Sequence, residues 1–543
     1  MRSSMIMTTS MGLVEAKAKT KDRMGDTWGP RHAEKEHTKM SECNTSGARR
    51  GWRMSMWLGL VMVVVSMGLV GESRGLAASG KSAAAGLEQS VVTVEVTGTA
   101  YDQFQPWSRS VKSLQKTAVA LRPGELLTTA DGLPDHTQIR LQKGGRGKWY
   151  LGKLRWIDYH SNLALVDAQD PDFWQGMKYG TLAAKTSVSS PLQILRWRAG
   201  NLESRRADFT QFTVHDSNLS WVHHLHVEMD TELEGPGLSE LLVSGGKVIG
   251  LVSGREGKKT LAIPSSFIVP ILDAWRKQSF KGLGYFDFVW QPGHNPSSLQ
   301  YLGLTGEPRG VLVIDVPSVP GRTAALRPKD VLIAVDGFEI DTEGDYIDPD
   351  YGHLMLENLA TRGHWAGDVI KLRVFREGKL IEVAYEIPKV EYSLELVPEG
   401  GFDKPPEYLV VGGLVFQPLT MALLKGFGEN WERRAPFRLV YYRNEKAVAE
   451  RPSRVVLSQV LPDAFNLGYQ ESRYVVVDKV NGKRVSKIAD LEAAFEQPKD
   501  GFHVLEFAKG DSLQRIVLDA SQTGAATQRV LRRYGIPAAK LAR

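Results

Sequence analysis

From about Leu87 onward the apolar residues fall into short runs that either alternate or continue for four or five positions. Val92-Thr93-Val94-Glu95-Val96 and Gln138-Ile139-Arg140-Leu141-Gln142 have period two, the pattern of a strand covered on one face. Leu163-Ala164-Leu165-Val166 and Val248-Ile249-Gly250-Leu251-Val252 are unbroken, as in strands covered on both faces. Turn formers separate them, including Arg122-Pro123-Gly124, Lys143-Gly144-Gly145 and Ser244-Gly245-Gly246. Roughly 190 residues of this kind predict a mainly β domain of two barrels. It closes at Ile263-Pro264-Ser265-Ser266. Phe267, Ile268, Ile271, Leu272 and Trp275 follow at helical spacing, with Ser265 or Ser266 as the expected cap.

A chain of 543 residues is too long for one compact core. A second unit over about 280–390 carries Ala324-Ala325-Leu326-Arg327-Pro328-Lys329-Asp330-Val331-Leu332-Ile333-Ala334-Val335-Asp336-Gly337, which reads as a small-residue helix, a strand and an Asp-Gly hairpin turn. It resembles a PDZ domain. A linker rich in Pro and Gly over 397–406 leads to a third unit. There Val475-Val476-Val477-Asp478-Lys479-Val480-Asn481-Gly482 repeats the strand and tight turn, and Ile488, Leu491, Ala494 and Phe495 share one helical face.

Charge and cysteine usage narrow the function classes. Residues 1–77 hold 12 of the 68 basic and 7 of the 62 acidic side chains, leaving 56 basic against 55 acidic. No basic footprint for nucleic acid remains outside the leader. The uncharged run 54–71 follows Arg49, Arg50 and Arg53 and precedes Gly75-Leu76-Ala77-Ala78, the layout of an export signal cleaved after Ala77. It is also near the lower limit for spanning a bilayer, so an uncleaved anchor is the alternative, and with it a membrane partner. Residues 1–48 are long for the basic part of a signal, and a start at Met40 would give an ordinary length. The sole cysteine, Cys43, precedes the run, so the exported part would have no disulfide, thiol nucleophile or cysteine-bound zinc.

Three strings carry the resemblance to a family. Leu127-Thr128-Thr129-Ala130-Asp131, His160-Ser161-Asn162-Leu163-Ala164-Leu165 and Gly235-Pro236-Gly237-Leu238-Ser239-Glu240 resemble the active-site segments of Deg/HtrA proteases. Asp172-Phe173-Trp174, Tyr408-Leu409-Val410-Val411-Gly412-Gly413, Ser458-Gln459-Val460-Leu461-Pro462-Asp463 and Tyr534-Gly535-Ile536-Pro537 resemble the branch with a long, divergent C-terminal PDZ-like domain. The resemblance implies a chymotrypsin-like double β-barrel followed by two PDZ-like α+β domains. The expected layout is a leader at 1–77, a degenerate protease domain at 85–276, a PDZ domain at 280–390, a second PDZ-like domain at 400–525 and a tail at 526–543. It also implies trimers or larger cages, PDZ domains that bind peptides or gate the active site, and a role in envelope protein quality control.

Residue by residue, the activity does not carry over. Asp131 stands for the general base, Asn162 for the orienting carboxylate and Gly237 for the nucleophile. Acyl transfer needs a nucleophilic oxygen, a base to take its proton and a group to orient that base. None of the three types is present. The leading expectation is therefore an exported pseudoprotease, in the periplasm or cell envelope. It would act as a binding, scaffold or chaperone-like subunit, a homo-oligomer or a hetero-oligomer with an active relative, without a cofactor. Two alternatives stay open. One is an active serine endopeptidase with a rearranged site, with Ser239 as substitute nucleophile or His160 as displaced base. The other is metal binding through His224 and His226, with Glu228. In the first PDZ domain, Gly284-Tyr285-Phe286-Asp287-Phe288 is the expected peptide-binding segment. Asp287 stands where the resemblance leads one to expect glycine, so its charge disfavours C-terminal carboxylates. Tyr346 and Tyr351 are expected in a solvated acidic loop.

Overall fold

The computed structural model describes residues 86–541 except 218, 236–237, 257, 318–323, 393–394, 400 and 512. The leader, with its apolar run, lies outside the described residues. Among those described, no helix is long and apolar enough to cross a membrane.

Two closed six-stranded barrels form the N-terminal part. The first is built from β1 (Val91–Tyr101), β2 (Arg109–Arg122), β3 (Glu125–Thr129), β4 (His136–Lys143), β5 (Trp149–Asp158) and β6 (Leu163–Ala168), ordered β1-β2-β3-β6-β5-β4. The second is built from β7 (Leu192–Arg198), β8 (Asn201–Ser217), β9 (Ser220–Thr231), β10 (Leu241–Ser244), β11 (Lys247–Glu256) and β12 (Lys259–Pro264), ordered β10-β11-β12-β9-β8-β7. Closure leaves neither sheet a free edge. The unbroken apolar runs explain themselves here. Alternate residues of β6 face different cores: Leu163 and Leu165 join the cluster between the barrels, Ala164 and Val166 the interior of the first. This is the chymotrypsin-like double barrel.

The helix α1 (Ser265–Arg276) buries Phe267, Ile268, Ile271 and Leu272 against the inter-barrel cluster. Its cap differs from the sequence expectation. Pro264 occupies the N-cap, neither serine caps locally, and Thr186 Oγ1 accepts the Ser266 N–H at 3.1 Å from 80 residues away. A tertiary contact supplies the missing acceptor.

Two PDZ-like α+β modules follow. The first has strands Val289–Pro292, Val311–Asp315, Val331–Val335, Val369–Arg376 and Lys379–Glu386 in sheet order, with Phe338–Glu339 paired to Val331–Val335. The Asp-Gly turn forms as read: Asp336 has φ 48° and Gly337 φ 87°, the signature of a two-residue hairpin. The helix read into 324–327 does not. Arg327 N–H instead donates to Asp330 Oδ2 at 2.8 Å and fixes a turn, and Arg376 ties Ala325 O and Asp330 to the sheet. The acidic loop is a hairpin, Asp345–Asp348 with Gly352–Met355. Tyr346 is buried, accepting from Asn358 Nδ2 at 2.7 Å, and Tyr351 packs on Phe212 of β8 with ring centroids 4.7 Å apart.

The second module forms an eight-stranded sheet that includes Tyr408–Val411, Leu414–Pro418, Val455–Val460, Val475–Val480, Phe502–Phe507, Arg515–Asp519 and Lys540–Leu541. The expected tail from 526 is part of it. The helix Ala520–Tyr534 crosses the expected boundary, Val530 and Leu531 pack on Tyr408, Val410 and Val415, and Leu541 pairs with Tyr408. Ile488, Leu491 and Ala494 of the helix Ile488–Phe495 are buried in the module's core.

The first PDZ module shares its core with the second barrel. Val214 and Leu225 belong to the same buried cluster as Phe288, Trp290, Leu354 and Leu356. Truncating Leu225 therefore opens a cavity under two domains. Leu225→Ala should cost about 2–5 kcal/mol in urea unfolding, with barrel and PDZ signals shifting together; a loss below about 1 kcal/mol would mean that the junction is not a true core.

Candidate functional site

The strands β3 and β6 pair antiparallel with Thr129 opposite Leu163, so the residues just beyond those ends face each other. Asp131 and Asn162 are brought together by that register, and they bond reciprocally. Asp131 N–H donates to Asn162 Oδ1 at 3.0 Å, and Asn162 Nδ2 donates to Asp131 Oδ2 at 2.5 Å. Asn162 is 1% exposed with φ 53°, a left-handed conformation that asparagine tolerates. Burial raises the Asp131 pKa, opposed by Lys116, by the Asn162 hydrogen bond and by Lys425 of the C-terminal module.

Lys116 was not singled out by sequence reasoning, yet it organises the site. It lies on β2 opposite Val94 and is only 3% exposed. Its Nζ donates to Thr129 O at 2.6 Å, Thr129 Oγ1 at 3.0 Å and Asp131 O at 2.5 Å. Three acceptors match the three donors of an ammonium. Burial works against that charge and lowers the pKa to about 7, while Asp131 and Glu240 pull it back up. The signal available in the sequence was slight: a lysine beginning an otherwise uncharged stretch, Thr117-Ala118-Val119-Ala120.

Ser239 reaches the same point from the second barrel. Thr117 N–H donates to Leu238 O at 3.0 Å and Ser239 N–H to Val252 O at 2.9 Å, seating the loop between the barrels. Ser239 Oγ accepts from Thr129 N–H at 2.5 Å and donates to Thr129 Oγ1 at 2.6 Å. It is 0% exposed, with φ 63°. The chain Ser239–Thr129–Lys116 places hydroxyls near an amine, but the buried hydroxyls have no open face for a substrate carbonyl. No imidazole hydrogen-bonds to Ser239, Thr129 or Asp131 among the described residues. Gly237 lies outside them.

The histidines are committed elsewhere. His160 Nδ1 lies 2.9 Å from Ser220 Oγ, and its ring packs on Tyr392 at 4.7 Å. Burial lowers its pKa. His224 and His226 are buried, and their rings stack at 4.4 Å with His224 also stacked on Phe267. Each Nδ1 lies near a backbone carbonyl, Leu225 O at 3.3 Å and His224 O at 3.0 Å. Parallel stacked rings do not converge their lone pairs on one ion. No group of three His, Cys, Asp or Glu able to hold a metal occurs among the described residues. Burial drives the His224 pKa down to about 3. His224 and His226 are thus placed by packing against each other and against Phe267.

In the first PDZ module, Gly284 is bridged to Lys389, and a Cβ there would come within 2.1 Å of Ile387 Cγ2. Close packing accounts for this glycine. Asp287 is buried, and Tyr385 OH donates to its Oδ1 at 2.7 Å. Phe288 is buried in the core, Phe286 packs on it with ring centroids 5.3 Å apart, and Tyr285 packs against the inter-barrel cluster. The Trp290 indole donates to Glu357 Oε1 at 3.1 Å beside this segment.

The segment from Tyr392 through the linker reaches both barrels, and the C-terminal module reaches the first. Tyr392 OH donates to Leu219 O at 2.7 Å, Phe402 packs on Tyr159, and Asp403 accepts from Asp135 N–H and Tyr159 OH. The β1–β2 loop is bound in turn: Gln417 and Gln459 donate to Gln103 O and Phe104 O.

A double barrel with its site at the barrel junction and PDZ-like modules behind it defines the trypsin-like protease class. Residues 397–541 match the PDZ domain family. The chain is 25% identical over 478 residues to Protease Do-like 2, chloroplastic, of Arabidopsis thaliana, covering 83% of this chain and 74% of that protein. Protease Do-like 4, mitochondrial, of the same plant is 21% identical over 462 residues, covering 83% and 84%. A DegP-like periplasmic serine endoprotease of Chlamydia muridarum is 23% identical over 390 residues, covering 69% and 68%. Over most of its length the chain is similar to Deg/HtrA-type proteases, and residues 397–541 carry a PDZ domain.

The buried amine makes stability depend on pH. Lys116 is at about 7 when folded against 10.5 when free, so between these values the unfolded chain binds more protons and stability rises with pH. Between pH of about 7 and 10, wild type should gain up to about 1.4 kcal/mol per pH unit relative to Lys116→Met in urea unfolding. Parallel curves would mean that the amine titrates normally.

Proposed function

We propose that this protein is a non-cleaving member of its family, a pseudoprotease that works as a protein-binding scaffold or chaperone-like subunit. The observation that carries the reading is the reciprocal Asp131–Asn162 pair with Lys116 donating beside it. Polar atoms that would have to move a proton are spent on one another, and among the described residues at the junction no nucleophilic oxygen is open to a substrate. Asp131 is the residue at the base position, and its carboxylate is held by Asn162 Nδ2 rather than by a hydroxyl it could deprotonate.

Binding falls to the PDZ modules and to the surfaces of an oligomer, either of this chain or with an active relative. The first module receives internal segments rather than C-terminal carboxylates, because Asp287 and its Tyr385 partner stand in the expected binding segment. The compartment follows from the leader: export to a periplasm or envelope, in protein quality control. The related proteins' names span periplasm, chloroplast and mitochondrion. Support for the scaffold reading also comes from the cores shared between modules, since a gating PDZ domain would need freedom to move.

Incubation with casein and with a fluorophosphonate probe tests the first part. No turnover and no covalent label are expected. Labelling that disappears in Ser239→Ala would instead establish the rearranged serine protease. For the binding part, peptides with free and with amidated C-termini should bind the full chain within about two-fold of each other. A preference for the free carboxylate of about ten-fold or more would overturn the internal-segment reading.

A further inference from the structure

His215, His223, His224 and His226 gather four of the 12 histidines on the hairpin β8–β9. Register sets His215 opposite His224, and the rings of His215 and His226 meet edge-on at 6.1 Å. His224 is 0% exposed and stacks on both His226 and Phe267 of α1. The proton positions follow from the partners. A backbone carbonyl only accepts, so Nδ1 of His224, 3.3 Å from Leu225 O, and Nδ1 of His226, 3.0 Å from His224 O, carry hydrogens. In the neutral ring His224 Nε2 then holds the lone pair, and that atom is buried with no hydrogen-bond partner. A proton added there becomes a buried N–H without an acceptor, on a cation sealed from water.

Nothing around the pair offsets such a charge. Neither His224 nor His226 forms an ion pair among the described residues. His223 and His215 act electrostatically on His224, and His224 and His215 on His226, each repelling a further proton when charged. The acids of the hairpin face His215 instead: Glu256 Oε2 lies 3.2 Å from its Nε2, and Asp216 interacts with it electrostatically. On α1 the charged Arg276 is paired with Asp273 and Glu125. From the first PDZ module comes the neutral Thr361, and Arg362 beside it is paired with Asp348.

The place of the pair in the fold gives it leverage. Leu225, between the two histidines, belongs to the core shared with the first PDZ module, and Thr361 of that module donates to His223 O at 3.4 Å. We propose that His224 and His226 are an acid-sensitive latch, whose protonation opens β9 and releases the first PDZ module from the second barrel. His224 titrates at about 3 when folded against 6.5 when free, so between these values the open form binds more protons and the closed form loses stability as pH falls. The latch works whether or not the chain cleaves peptides.

Hydrogen–deuterium exchange of the full chain, corrected for the intrinsic pH dependence of exchange, reads the opening. Peptides covering 222–227 and 354–361 should open at least about 30-fold more at about pH 5 than at about pH 7.5, the share of a single histidine. Peptides from β6 in the first barrel should change less than about three-fold. His224→Phe keeps a stacking ring without the titration and should remove most of the rise. A wild-type exchange pattern at neutral pH would show that the variant is folded. Should it not fold, His226→Phe makes the same test at the neighbouring ring, and should neither fold, the wild-type contrast between the two sets of peptides decides. The proposal is overturned if wild type shows no rise, if β6 rises equally, as in global acid unfolding, or if a folded phenylalanine variant keeps the full rise.

Discussion

Thr129 is the residue on which the two barrels agree. Its N–H donates to Ser239 Oγ, its hydroxyl accepts from Ser239 and Lys116, and its carbonyl accepts from Lys116. One residue at the end of β3 thereby joins the loop before β10 to β2, with every partner buried. In a low-dielectric interior such a network is strong when complete and costly when any member is missing. That cost fixes the loop 238–240, and with it the seating of the second barrel.

The junction is built for cohesion. A proton-transfer site needs a base that changes charge during reaction, and therefore an environment tolerant of both states. Lys116 and Asp131 sit instead among acceptors and donors already matched to them, with burial pushing the amine down and the carboxyl up. Each partly compensates the other's desolvation. The same substitution of packing for openness recurs in the first PDZ module, where Tyr385 covers Asp287 and the second barrel contributes Val214 and Leu225 to the module's core.

How the modules are joined matters for what such a chain can do. The linker presses Tyr392 and Phe402 onto the first barrel, and Asp403 accepts from both Asp135 and Tyr159. The β1–β2 loop returns the contact through Phe104, whose ring meets Phe427 edge-on at 5.0 Å. These are aromatic and charge-assisted contacts, which hold geometry better than apolar surface alone. A body of this kind presents fixed surfaces.

Much of the fold was legible in the chain. Strands followed from period two, both Asp336-Gly337 and Asn481-Gly482 gave positive-φ hairpin turns, and the identities of residues 131, 162 and 237 were there to read. These are local properties, set by backbone sterics and side-chain type. What the sequence could not reveal involves partners far apart along it. Lys116 meets Asp131 O across 15 residues, Ser239 meets Thr129 across 110, Thr186 caps α1 across 80, and Gln417 meets Gln103 across 314. Whether a serine is a nucleophile or a strut, and whether a histidine is solvated or sealed, depends on burial and register. Those are decided only when the barrels close and the modules dock.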